Sequence, residues 1–322
     1  MMRDAINNFS TQLAYEPVIE NADTLKRYSA FIVAGMGGSN LAPGLLKIWK
    51  PELDIASHRD YGLPYISDAA ARQTLLVASS YSGNTEETLD AFEEAGRRGL
   101  ARAAVSAGGT LLESARRSGS PFIRLPDTGI QPRSALGFSL MALLKIIEAD
   151  AALSEARALT ETLRPADFEA QGRELAQKLS GRIPVTYSSA RNGAIAHNWK
   201  IKFNETGKIP AFYNVFPELN HNEMTGHDTR GGTKDLSRNF FFIFLKDAAD
   251  DPRVLKRMAA TEELYRDRGL PAAVVEMRGV SVLEKIFSSL LVADWAAYYT
   301  AEGYGVEPEQ VPMVEEFKKR IA

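Results

Sequence analysis

The chain has 322 residues, with 38 Lys and Arg against 41 Asp and Glu, a net charge of -3 and 45% apolar residues, the balance of a soluble globular protein of about two domains. The weak acidic excess argues against a dedicated nucleic-acid or polybasic membrane surface. The absence of cysteine excludes disulfide frameworks, thiolate metal sites, Cys nucleophiles and iron–sulfur clusters.

The chain starts polar, without the apolar core of a signal peptide. No stretch reaches the about 18 uncharged apolar residues of a membrane span; the runs at 138–144 and 287–297 are too short or broken by Asp294. A cytoplasmic protein with neither membrane nor nucleic-acid partner is expected. Four histidines (His58, His197, His221 and His227) argue against a His-rich metal site.

In chain order, apolar runs at 30–34, 53–56, 74–79, 103–106 and 122–125 read as strands, with helical patterns at 40–47 and 85–98. Strands that lack polar alternation and alternate with helices predict a parallel sheet covered on both faces. A long helix is expected over 138–163, ending before Pro165. Strands at 183–188, 240–245 and 272–277 follow, with helices at 192–202, 252–267, 281–301 and 312–320. The reading is α/β, two halves divided as 1–155 and 156–322, with no repeat between them legible by inspection.

Two segments carry chemistry. Gly35-Met36-Gly37-Gly38-Ser39-Asn40 follows a strand and opens a helix. Glycines there allow a tight turn and close backbone approach, and free amides at a helix start attract anions. The spacing fails the dinucleotide fingerprint, since Asn40 stands where a third glycine belongs, and it lacks the Gly-Lys-Ser/Thr of a P-loop. An ordinary strand-to-helix turn fits it equally well. The second, Ser79-Ser80-Tyr81-Ser82-Gly83-Asn84-Thr85-Glu86-Glu87-Thr88, brings the hydroxyls of Ser80, Ser82, Thr85 and Thr88 to another helix start. Hydroxyls and amides together hold a phosphate without any cation. Thr85 is placed to cap the helix, so a Ser/Thr-rich capping turn is the alternative.

Ser80-x-Ser82-Gly83-x-Thr85 resembles the phosphate loop of sugar-isomerase (SIS) domains. Gly35-Met36-Gly37-Gly38-Ser39 narrows the resemblance to the bifunctional phosphoglucose/phosphomannose isomerase family. Arg59-Asp60-Tyr61-x-Leu63-Pro64, Gln131-Pro132-Arg133-Ser134-Ala135-Leu136-Gly137, Asn204-Glu205-x-x-Lys208 and Asn220-His221-Asn222-Glu223 are similar to further segments of that family, in order, from residue 30 to residue 319.

The resemblance implies two tandem SIS-type domains, each a parallel sheet flanked by helices, in a homodimer that needs no cofactor or metal. It implies a hexose phosphate substrate, with aldose and ketose interconverted through a cis-enediol(ate). Glu205 matches the base, Arg133 the arginine that offsets enediolate charge, and His221 the ring-opening histidine, which reaches the site from the partner subunit. Lys318 resembles a C-terminal lysine acting at the O1/O5 end, with Lys319 as the other register. Gly37, Gly38, Ser39, Ser80, Ser82, Thr85 and Thr88 would hold phosphate or sugar. His58, His197 and His227 match no role and are expected to be structural or on the surface.

One segment departs from the family. Where it commonly reads Asp-Pro-Thr, this chain has Glu307-Pro308-Glu309-Gln310. The family threonine is associated with room for both C2 epimers. Glu309 is bulkier and charged, while Gln310 is of the type that serves in phosphoglucose isomerases. The departure bears on mannose 6-phosphate more than on glucose 6-phosphate. An isomerase of another phosphosugar and a non-catalytic sugar-phosphate sensor are the alternatives. No basic DNA-binding module of the kind such sensors carry is visible.

Overall fold

The computed structural model describes residues 2–229 and 231–321. Its contacts divide into one unit of residues 8–163 and another formed by the N-terminal segment up to Asn7 together with the chain from Arg164 onward.

The first unit holds β1 (Ile19–Glu20), β2 (Ala30–Ala34), β3 (Asp54–His58), β4 (Thr74–Ser79), β5 (Ala101–Ser106) and β6 (Phe122–Arg124), in the order β1-β6-β5-β4-β2-β3. β2 to β6 are parallel, and β4 is buried along its whole length. That is why 74–79 reads as an unbroken apolar run: helices cover both faces of a parallel sheet. Ile32, Leu76, Ala104 and Phe122 pack with Phe92 and Leu112 from the helices in one core cluster. β1 pairs antiparallel at the edge, Ile19 opposite Ile123; two residues are too short to leave a pattern.

The order of the parallel strands has a functional consequence. β2 lies between β3 and β4, so the chain leaves β2 toward one side and returns to the other. The carboxyl ends of β2 and β4 therefore flank a switch point, the place at which open α/β sheets bind ligands. The Gly35 and Ser80 loops leave from these two ends.

The helix expected over 138–163 is two helices, Leu136–Ile146 and Asp150–Thr162. Glu148 sits at φ 55°, and the amides of Ile147 and Ala149 close the first helix onto the carbonyls of Leu143 and Leu144 at 3.0 and 2.9 Å. The first helix is buried almost all round; the second buries only Ala152, Leu153, Ala156 and Leu159, packed on the Phe9–Ala14 turn. This second helix lies in the first unit, which runs to Leu163. Helix Met2–Asn7 belongs to the second unit, where Arg3 donates to Glu169 Oε1 at 3.0 Å.

The second unit holds β7 (Ile183–Ser189), β8 (Phe212–Phe216), β9 (Phe240–Lys246) and β10 (Ala272–Glu276), all parallel, in the order β10-β9-β7-β8. β8 is absent from the sequence reading. It is an edge strand between Pro210 and Pro217, with Phe212 53% exposed, and flanking prolines read as loop. Helix Gly193–Glu205 packs on the buried helix Val282–Gly303. Trp199 Nε1 donates to Ser289 Oγ at 3.0 Å, and the buried Lys202 ammonium meets Asp294 at 2.5 Å. Removing one partner of such a pair costs about 3–5 kcal/mol, because the other charge stays buried. These contacts fix the helix that ends at Glu205. No helix among the described residues is long and apolar enough to cross a membrane.

Candidate active site

At the first switch point, the chain leaves β2 through Gly35 and turns at Gly37, φ 49°. A Cβ on Gly35 would lie 2.5 Å from the carbonyl oxygen of Ser79, at the end of β4. A Cβ on Gly38 would lie 2.5 Å from the backbone nitrogen and 2.7 Å from Cα of Arg133. The glycines thus let three backbone segments touch: the end of β4, the Gly37–Asn40 turn and the Pro132–Ser134 turn. Ser39 links them, its hydroxyl accepting the Tyr81 amide at 2.9 Å and its carbonyl accepting Ser79 Oγ at 2.9 Å. Asn40 is fully buried and donates to the carbonyls of Val33, Gly35 and His58 at 3.0, 2.8 and 2.9 Å. It locks the turn, a role the sequence reading does not assign. Arg133 is 4% exposed in its turn.

The hydroxyl loop lies beside this turn. Ser80 Oγ accepts the Gly83 amide at 3.1 Å and lies 2.9 Å from Thr85 Oγ1. Thr85 does stand at the N-cap of helix Glu86–Arg97, but its hydroxyl faces Ser80 and not the first-turn amides. Those amides therefore lack a side-chain cap, the state in which a helix start accepts an anion. Ser82 is exposed, and its Oγ accepts the Asn84 amide at 3.3 Å. Thr88 points inward from the first turn, and its buried hydroxyl has no hydrogen-bond partner among the described residues. The loop after β5 supports the arrangement from below. Gly83, at φ 73°, would drive a Cβ to 1.8 Å from Gly108 O, and Asn84 Oδ1 accepts the Thr110 amide at 3.0 Å.

In the second unit, Glu205 ends its helix and is half-buried. Lys208, three residues on, takes the left-handed φ of 57°. Its ammonium donates to the carbonyl of Glu205 at 2.6 Å and to the carbonyl of Gln310. The Glu307 carboxylate accepts the amides of Glu309 at 2.8 Å and Gln310 at 2.5 Å. The end of the Glu205 helix and the 307–310 turn are thereby brought together. Glu309 is 7% exposed, whereas Gln310 is open to solvent.

His221 closes the turn Glu218–His221 and is exposed. Its neighbours hold the loop. Glu223 accepts Tyr187 Oη and Asn214 Nδ2, each at 2.5 Å, and Asn220 Nδ2 donates to Thr261 Oγ1 at 2.9 Å. Burial, with Tyr265 and Glu223 alongside, raises the Tyr187 pKa and keeps its phenol protonated. His227 packs against Phe240, Phe242 and Tyr265; burial lowers its pKa against the opposing charge of Glu223. His197 lies 5.1 Å from the Tyr213 ring, and His58 Nε2 lies 3.1 Å from Gly62 O.

Lys318 lies on helix Pro312–Ile321, which buries no residue, and pairs with Glu315 at 2.8 Å. Lys319 is exposed on the same helix. Two further residues of this region carry no role in the sequence analysis, Lys208 and Glu307. Both lie in segments singled out there, Asn204-Glu205-x-x-Lys208 and Glu307-Pro308-Glu309-Gln310, but their partners are backbone carbonyls and amides, which leave no side-chain signal.

Residues 168–321 match the family model described as the bacterial phospho-glucose isomerase C-terminal SIS domain. The chain is 37% identical over 303 residues to a bifunctional phosphoglucose/phosphomannose isomerase of Thermoplasma volcanium, covering 92% of each chain. It is 33% identical over 325 residues to the protein of that name from Aquifex aeolicus, covering 98% of this chain and 97% of the relative. In fold it is similar to the glucosamine-6-phosphate deaminase of Thermotoga maritima, with a TM-score of 0.67 at 16% identity, over 97% of this chain and 96% of that one.

Proposed function

The chain belongs to the bifunctional phosphoglucose/phosphomannose isomerase family, and from that premise we propose that it is a metal-free isomerase interconverting glucose 6-phosphate, and mannose 6-phosphate as a second aldose, with fructose 6-phosphate. The observation that carries this reading is the contact of Gly38 with the turn of the buried Arg133, beside the hydroxyl loop of Ser80, Ser82 and Thr85. A fixed cation and a neutral phosphate cradle at one switch point suit an anionic sugar whose reaction develops further negative charge.

The roles follow from the chemistry. Ser39, Ser80, Ser82, Thr85 and the first-turn amides hold the phosphate, with Gly37 and Gly38 allowing close approach. His221, donated by the partner in a homodimer, and Lys318 move a proton between the ring oxygen and O1 to open the sugar. The exposure of His221 supports its donation to a second chain. Glu205 takes the proton from C2 of the aldose and returns it to C1, while the hydroxyl proton passes from O2 to O1. Arg133 offsets the charge of the enediolate between these steps. Gln310, exposed beside the buried Glu309, is the side chain offered to the sugar.

Replacing Glu205 with Gln tests the assignment, since it removes the base and keeps the shape. Turnover is expected to fall by about 10²–10⁴-fold, with binding of fructose 6-phosphate retained. A Glu205→Gln protein that isomerises at the wild-type rate would refute the role.

A further inference from the structure

The 307–310 turn is held at both ends of its backbone. The Glu307 carboxylate takes the amides of Glu309 and Gln310, and the Lys208 ammonium takes the carbonyl of Gln310. That same ammonium takes the carbonyl of Glu205 at 2.6 Å. Trp199 and Lys202 fix helix Gly193–Glu205 upstream of its last residue, and Asn204 Nδ2 donates to the carbonyl of Ile209 at 3.0 Å. Lys208 therefore acts on the end that carries the carboxylate. Its backbone is left-handed at φ 57°, a conformation that costs a lysine free energy and suits glycine or asparagine. The position keeps a long cation despite its backbone.

We propose that Lys208 is a positioning residue for the isomerisation: it clamps the Glu205 end of the helix to the 307–310 turn and so sets the base against the side chain that reads the substituent at C2. The inference rests on the isomerase reading above. An ammonium suits the task because it donates to several carbonyls at once, holding the helix end through its backbone. A neutral side chain of shorter reach cannot span both carbonyls.

The test uses Lys208→Asn and Lys208→Gly, both compatible with a left-handed backbone, so that folding is preserved. Fructose 6-phosphate is the substrate, and the two aldoses are quantified separately, with melting temperature measured alongside. In both variants kcat is expected to fall about 10–100-fold, the scale of a displaced catalytic group. KM is expected to stay within about two-fold, since the phosphate loop lies in the other unit. The ratio of mannose 6-phosphate to glucose 6-phosphate formed is expected to change. Lys208→Arg, which keeps the charge, is expected to recover part of the rate. A variant with wild-type kcat and wild-type product ratio overturns the proposal. So does a loss of kcat that follows a lowered melting temperature with the product ratio fixed, the mark of a merely structural lysine. If wild type forms neither aldose, the isomerase reading fails and takes this proposal with it; an active wild type beside an unaffected Lys208→Asn overturns the clamp alone.

Discussion

Gly38 has room for a hydrogen and nothing larger. Its missing Cβ would sit within 2.7 Å of three backbone atoms of Pro132 and Arg133, and backbone does not yield as a flexible side chain does. Gly38→Ala is therefore expected to push the Arg133 turn away and lower kcat by about 10²-fold, the effect of a displacement of about 1 Å. A variant with wild-type kinetics would show that the turn does not position Arg133. The two loops were legible in the sequence because their glycines and hydroxyls cluster in short segments at strand ends, whereas the contacts that join them, Ser39 to Tyr81 and Gly38 to Arg133, span tens of residues and were not. Lys208 was no more legible, because its second carbonyl lies 102 residues away. Asn40 passed as a small variation of a glycine motif, whereas its amide holds three carbonyls in the fold.

The elements repeat one plan with different contents. In the second unit the switch point falls between β7 and β9, where Asp250, from the loop after β9, meets the loop after β7. Asp250 Oδ1 accepts Ser189 Oγ at 2.7 Å and Asn192 Nδ2 at 3.2 Å, and its Oδ2 is buried without a partner among the described residues. A carboxylate thus takes the hydroxyl and amide donors of this loop. Burial, ahead of the Ser189 hydrogen bond that opposes it, raises the Asp250 pKa, with Asp247 adding to the rise. The folded state then holds this proton more tightly than the unfolded state. The resulting stabilisation is complete below the ordinary aspartate range and is lost as pH rises through the raised pKa. As pH rises from the ordinary aspartate range, about 4, wild type should therefore lose melting temperature relative to Asp250→Asn; parallel melting profiles would contradict this. The central strands were legible because burial on both faces makes them apolar runs. β1 and β8 were not, being an edge pair of two residues and a half-exposed edge between prolines. The break at Glu148 was hidden because the residues on both sides of it carry helical patterns.

At the scale of the whole chain, β3-β2-β4-β5 and β8-β7-β9-β10 are wound alike, yet the halves show no repeat in sequence. Topology needs only apolar strands and helices of suitable length in the right order, and many sequences meet that demand. Nothing in a helix's own pattern says which unit it packs on, and the Asp150–Thr162 helix packs backward onto Phe9–Ala14. The Ser80–Thr85 loop and Arg133 lie in one unit; Glu205, His221 and Lys318 lie in the other. We propose that these residues serve one aldose–ketose isomerisation. Its most direct test is conversion of fructose 6-phosphate by the purified full chain in EDTA, with glucose 6-phosphate and mannose 6-phosphate measured separately. Glucose 6-phosphate is expected to form at a rate unchanged by chelation, with mannose 6-phosphate as the second product. Formation of neither aldose, or a rate abolished by chelation and restored by zinc, would contradict it.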